Sequence, residues 1–98
     1  MRVSFDGEIW FWRGPSPFHF VTVPEEQSEE IRAVAPLMTY GWGVVPVKAT
    51  IKSTSWCTSL FPKDARYLVP IKKMVRRTEG LELGDEVPVI LTLRARDL

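Results

Sequence analysis

Residues 2–23 read RVSFDGEIWFWRGPSPFHFVTV, and their alternation decides the fold. Val3, Phe5, Ile9 and Phe11 fall on odd positions with Gly7 among them, while Arg2, Ser4, Asp6 and Glu8 take the even ones. A period of two marks a strand with one face buried and the other in water. Trp10 and Trp12 interrupt the polar row, which implies that the far end of the outer face is covered. Gly14-Pro15-Ser16-Pro17 stops the strand, because proline cannot donate to a ladder and glycine permits a sharp turn. Residues 18–23 then read as the hairpin partner.

Working outward, Pro24 followed by Glu25, Glu26, Glu29 and Glu30 predicts a helix start, since acids stabilise the positive end of a helix dipole. Ile31, Val34, Ala35 and Met38 recur at helical spacing, and Pro36 is expected to end that helix early. Beyond Gly41-Trp42-Gly43, the alternation of Val45, Val47, Ala49 and Ile51 with Pro46, Lys48, Thr50 and Lys52 predicts a third strand, near an edge or starting at Pro46. Residues 56–61 predict a fourth, whose rows Trp56/Thr58/Leu60 and Cys57/Ser59/Phe61 cannot be ranked by polarity, so its facing stays open. Residues 62–65 read as a loop, and Tyr67-Leu68-Val69 as a short strand ended by Pro70. Ile71, Met74, Val75 and Thr78 share one face of a second helix and Lys72, Lys73, Arg76 and Arg77 the other. Gly80 fits the left-handed position beyond its end. Leu83-Gly84-Asp85 turns into the clearest strand, where Val87, Val89, Leu91, Leu93 and Ala95 alternate with Thr92, Arg94 and Arg96.

Six short strands, two short helices, no repeat and no βαβ spacing predict a mainly β fold. The expected form is a small closed or nearly closed antiparallel barrel, which removes exposed edges. In-phase alternation assigns Phe5, Ile9, Phe11, Val47, Ile51, Val89, Leu91 and Leu93 to one core. The 98 residues make one domain, 1–98, and a hydrophobic share of 45% suffices for a core without metals or disulfides. Thirteen Lys and Arg against twelve Asp and Glu leave +1, which argues against a globally basic nucleic-acid binder. One Cys and one His cannot supply the usual four ligands of a zinc site, and Cys57 has no internal disulfide partner. No metal and no cofactor is expected, and a reducing, cytoplasmic setting follows from the cysteine usage. Arg2, Asp6 and Glu8 interrupt any apolar leader, and no stretch approaches the roughly 20 apolar residues of a membrane span.

Several motifs in series carry a family resemblance: Gly41-Trp42-Gly43, the run 56–62 (WCTSLFP), the run 67–72 (YLVPIK), Val75-Arg76, and the run 80–85 (GLELGD). In order and spacing the chain resembles the domain of unknown function 1905 family along essentially its whole length, including the aromatic first hairpin and the Val23-Pro24-Glu25 entry to the helix. The resemblance implies a small closed β-barrel, found alone or fused to a helical domain associated with bacteriocin protection. It implies no established activity, so no catalytic residues are carried over. Cys57 departs from the residue types expected at its position, which weakens any mechanism that needs its thiol.

The side chains themselves offer few chemical constellations. A Cys57–His19 pair would need a base and oxyanion donors placed together, and no sequence feature does that. Ser55, Thr58 and Ser59 lie outside any nucleophile elbow. Lys72, Lys73, Arg76 and Arg77 put four positive charges in six residues, whereas residues 1–49 hold four basic against six acidic side chains and residues 50–98 nine against six. A solvated helix face is the commoner meaning of such a cluster. Its functional meaning is an anion site, with Lys72 and Arg76 one turn apart as ligands and Tyr67 and Trp42 as neighbours. Four tryptophans add core mass or the rim of a binding face. The expected function is a non-catalytic binding module for an anionic small molecule or a protein partner, bound at Lys72, Arg76, Tyr67 and Trp42. The competing readings are an enzyme using the barrel mouth and a DNA-binding barrel, the latter by analogy of fold alone. Neither the oligomeric state nor the pathway is legible.

Overall fold

In a computed structural model that describes residues 1–38 and 43–93, strand β1 (Arg2–Trp12) buries Val3, Phe5 and Ile9 and turns Arg2, Ser4 and Asp6 outward. It serves two partners. Its first part pairs antiparallel with β6 (Glu86–Leu93), from Arg2 opposite Thr92 to Glu8 opposite Glu86. Its last part pairs with β2 (Phe18–Thr22), from Ile9 opposite Val21 to Trp12 opposite Phe18. Gly7 sits just before the change of partner, where a Cβ would run into the side chain of Val21. A bare backbone there lets β1 bend into the second sheet.

β3 (Val45–Ile51), β4 (Thr54–Lys63) and β5 (Arg66–Pro70) complete a closed barrel in the order β1-β2-β5-β4-β3-β6, antiparallel throughout. Closure removes the free edges, as the sequence predicted. One core fills the barrel and includes Phe5, Ile9, Val47, Ile51, Val89, Leu91 and Leu93. Phe11 does not join it, remaining 38% exposed opposite His19. It keeps the inward parity of β1, but at a point where the β1–β2 hairpin has run past the filled part of the barrel. For β4 the facing is now settled: Trp56 and Leu60 point in, and Cys57 and Phe61 point out.

Two proline expectations are corrected. Residues 62 and 63 continue β4 instead of opening a loop, with Pro62 opposite Tyr67. The backbone of Tyr67 is committed elsewhere, its carbonyl accepting from Val23 N–H at 2.8 Å and its N–H donating to Ser28 Oγ at 3.3 Å. Pro62 therefore stands at a position where β5 asks for no ladder donor, and the missing N–H costs nothing. Pro36 likewise fails to end α1 (Glu25–Met38). It removes one donor from the last turn, while Ile31, Ala35 and fully buried Ser28 anchor the turns before it. The Ser28 hydroxyl also donates to Val23 O at 3.1 Å, so this one side chain joins α1, the residue that follows β2, and β5.

α2 (Lys73–Glu79) buries Val75, and Lys72 stands just outside it in extended conformation. Arg76 N–H still bonds to Lys72 O at 3.1 Å, so the two remain one turn apart. Met74, expected on the apolar face, is exposed instead. Gly80 closes the helix at φ 65°, with Leu81 N–H bonding back to Arg76 O at 2.8 Å. Gly84 adopts φ 91° in the turn that Asp85 closes on Glu82 at 3.0 Å.

Candidate binding groove

The residues that the sequence nominated as a site fall in different surroundings. Lys72 is exposed ahead of α2, and Arg76 is half-buried on it, its Nε enclosed without a hydrogen-bond partner. The ring of Tyr67 packs in the core and keeps 5% of its surface, so it presents no face beside these cations. Trp42 lies outside the described residues. Among the described residues no acid pairs with either cation: the ion pairs there are Lys63–Asp64 at 3.6 Å and Arg66–Glu25 at 3.9 Å. Glu79, the nearest acid on the helix, accepts instead from Thr54 Oγ1 at 2.6 Å and Ser53 Oγ at 3.3 Å. The Thr54 bond foremost holds its carboxyl below the usual carboxylate range. Glu79 thereby ties the end of α2 to the β3–β4 hairpin.

The elements of a thiol dyad are also apart. Cys57 faces out opposite Lys48 on the β3 side of β4, whereas His19 lies on β2 with β5 between the two strands. His19 packs edge-on against Phe11, with ring centroids 4.9 Å apart. Burial, and secondarily the charge of Arg76, lowers its pKa below the ordinary value. Among the described residues no cluster of His, Cys, Asp and Glu is set to hold a metal, and no helix is long and apolar enough to cross a membrane.

What the fold does build is an aromatic groove on the outside of the barrel. Register places Phe20 opposite both Trp10 and Pro70, and Phe61 opposite Leu68, so the outward rows of β1, β2, β5 and β4 meet as one apolar face. Phe20 is only 6% exposed although it points away from the core, and neither it nor buried Leu68 belongs to the inner cluster. The rings of Trp10, Trp12 and Phe18 stand 5.7, 6.0 and 5.8 Å from that of Phe20, all tilted and within the usual spacing of interacting aromatic pairs. Phe20 and Leu68 form the floor. Trp12 and Phe18 make one wall, and Phe61 and Pro62 the other, around about 680 Å³. Trp12 and Phe61 keep 41% and 44% of their surface.

A model of the domain of unknown function 1905 (DUF1905) matches residues 5–91, nearly the whole chain. The chain belongs to the DUF1905 family. No curated protein matches it. The matched stretch contains the whole groove of this DUF1905 domain, along with Lys72 and Arg76.

Beside the groove lies a smaller hollow of about 440 Å³, bordered by Trp10, Thr22, Glu25, Asp64 and Arg66, and sharing Lys63 and Leu68 with it. Trp10 Nε1 donates to Thr22 Oγ1 at 2.9 Å, which satisfies the indole where it faces this hollow. The β4–β5 turn between the two spaces has Asp64 at φ 51° and Ala65 at φ 65°. Two left-handed residues fit a tight hairpin, but Ala lacks the freedom of the Gly or Asn usually found there. Arg32 of α1 donates to the carbonyl of Ala65 and pins the turn. Most of this face escaped the sequence reading. Trp10 and Trp12 signalled it, but Phe20, Phe61, Leu68, Pro62 and Lys63 become its members only through the register of β2, β5 and β4.

Proposed function

We propose that this DUF1905 domain is a non-catalytic binding module for an anionic small molecule or a protein partner, and that the outer aromatic groove is where it binds. The observation that carries this reading is the groove itself: a concave apolar space of about 680 Å³, walled by exposed Trp12, Phe18 and Phe61. Ligand sites commonly measure about 300–1,000 Å³ and are lined mostly by apolar and aromatic groups. Large aromatic side chains left in water are favoured as binding anchors and are costly to expose otherwise. The separation of Cys57 from His19 supports a module that binds and does not catalyse.

One observation favours a second reading, an anion held by Lys72 and Arg76. The Arg76 Nε–H is enclosed with no acceptor, and a bound carboxylate or phosphate would supply one. Thermal-shift screening of a mixed ligand library separates the two. Ligands that raise the melting temperature of the parent should lose their effect in Trp12→Ala and keep it in a Lys72→Ala/Arg76→Ala double variant. The opposite pattern would move the site to α2 and overturn the groove.

A further inference from the structure

Among the described residues, Lys63 is the sole ionisable side chain lining the aromatic groove, where Ser16 adds a hydroxyl. It follows Phe61 by two residues on β4 and so shares its outward face. Its Nζ sits 5.7 Å from the centre of the Trp12 ring, which draws the ammonium over the groove wall. The polar contact of Nζ is the Asp64 carboxylate at 3.6 Å, and that side chain is 87% exposed. Exposed pairs of this kind are weak and readily exchanged for a better acceptor. The next cation, Arg66, faces Glu25 across the adjoining hollow. The described residues therefore make an apolar trough with the Lys63 charge on its border.

Resting on the groove as the binding site, the geometry points to a free small-molecule carboxylate with a hydrocarbon or aromatic body as its occupant. The body lies over Phe20 and Leu68 between Trp12 and Phe61, and the carboxylate accepts from Lys63 Nζ in place of Asp64. The match is one of charge as well as shape. A neutral apolar molecule leaves the ammonium with a poor partner, and a cationic one meets repulsion at Lys63.

The test uses 2-naphthoate and its uncharged isostere 2-naphthamide, titrated into the ¹⁵N-labelled protein and followed by NMR. The acid should shift the Trp12 indole and the amides of Phe18, Phe61 and Lys63, and bind roughly tenfold more tightly than the amide, as one charge-assisted hydrogen bond allows. Lys63→Gln should bring the acid down to the affinity of the amide and leave the amide unchanged, while Phe18→Ala weakens both. Gly14→Ala is a milder probe of the same wall, because a Cβ there would meet Trp12 Nε1 at 2.5 Å and displace the ring. Equal binding of acid and amide, with shifts still in the groove, overturns the carboxylate and leaves the groove reading standing. No binding of either probe, or shifts confined to Lys72 and Arg76, overturns both. Self-association that Phe18→Asp abolishes would show the trough filled by a second copy, and it also refutes the small-molecule occupant.

Discussion

On the half of the barrel built from β3, β6 and the first part of β1, the outward row includes Ser4, Asp6, Lys48, Thr50 and Thr92. On the half built from β2, β5 and the end of β1, Trp10, Trp12, Phe18, Phe20, Leu68 and Pro70 dominate it, beside Thr22 and Arg66. Both halves enclose the same core and obey the same closure, so barrel formation does not dictate the second chemistry. A polar outer row suffices for a stable sheet with one wet face. The aromatic half therefore carries a feature beyond the needs of folding, although the fold has come to rely on part of it: Phe20 and Leu68 are as hidden as core residues while facing away from the core. Under the function proposed above, such an outer layer stabilises and binds with the same side chains.

The sharpest way to break this comparison is to truncate one outward residue on each half. Phe20→Ala should destabilise by about 3–5 kcal/mol, near the cost of about 2–5 kcal/mol for Leu91→Ala inside the barrel. Thr92→Ala should stay within about 0.5 kcal/mol. Chemical denaturation of the three variants checks the order. Should Phe20→Ala behave like Thr92→Ala, the aromatic cluster would be a loose surface feature and not a second packed layer.

The inner layer was legible because period two is a local property. Val3, Phe5, Ile9, Val87, Val89 and Leu91 announce their facing within a few residues of their own sequence. The outer aromatic layer was legible only as a hint at Trp10 and Trp12. Its other members depend on register, Phe20 with Pro70 far along the chain and Phe61 with Leu68 across the β4–β5 hairpin, and no local periodicity encodes a register. The rows of β4 are equally apolar, so its facing had to come from the closed barrel. Pro62 concealed the end of β4 because its tolerance depends on where Tyr67 sends its hydrogen bonds. Phe11 shows the converse failure: its parity is correct, but parity says nothing of where a barrel stops being filled. Lys72 and Arg76 were nominated by charge and helical spacing and Tyr67 by its place beside that helix in the sequence, none of which reveals that Tyr67 turns inward.

The two halves also differ in how their hairpins turn, which gives a smaller test. The β3–β4 hairpin places Lys52 at φ 54° and is tied down by Glu79, whereas the β4–β5 hairpin places both Asp64 and Ala65 in the left-handed region. Left-handed backbone costs a residue with a Cβ about 1–2 kcal/mol, part of which Gly returns as entropy lost on folding. Ala65→Gly should thus stabilise the protein by about 0.5–1 kcal/mol. Denaturant midpoints measured with an unchanged slope would establish it. A loss of stability would mean that the Ala65 methyl contributes contacts outweighing the strain, and that this turn is no more strained than its counterpart.

The smallest expected effect lies where the aromatic half meets α2, at His19. Burial first and the charge of Arg76 second hold its pKa below 6.5, so the neutral imidazole is the form the fold prefers. In the unfolded chain the same group takes up its proton near pH 6.5. Between the folded and unfolded values the unfolded state binds more protons, and stability must rise with pH across that window. The contribution is complete above the unfolded value and is lost as pH falls through the folded one. Arg76→Gln removes the smaller of the two causes, so the His19 pKa should move upward without reaching 6.5, and the acid-side loss of melting temperature should shrink but persist. As the sole histidine of the chain, His19 gives one set of imidazole signals, which an NMR pH titration can follow without assignment. A parent pKa at or above 6.5 would mean that the imidazole is better solvated than its position beside Phe11 indicates. A value unmoved by Arg76→Gln would place the guanidinium too far away to act and leave burial as the cause of the shift.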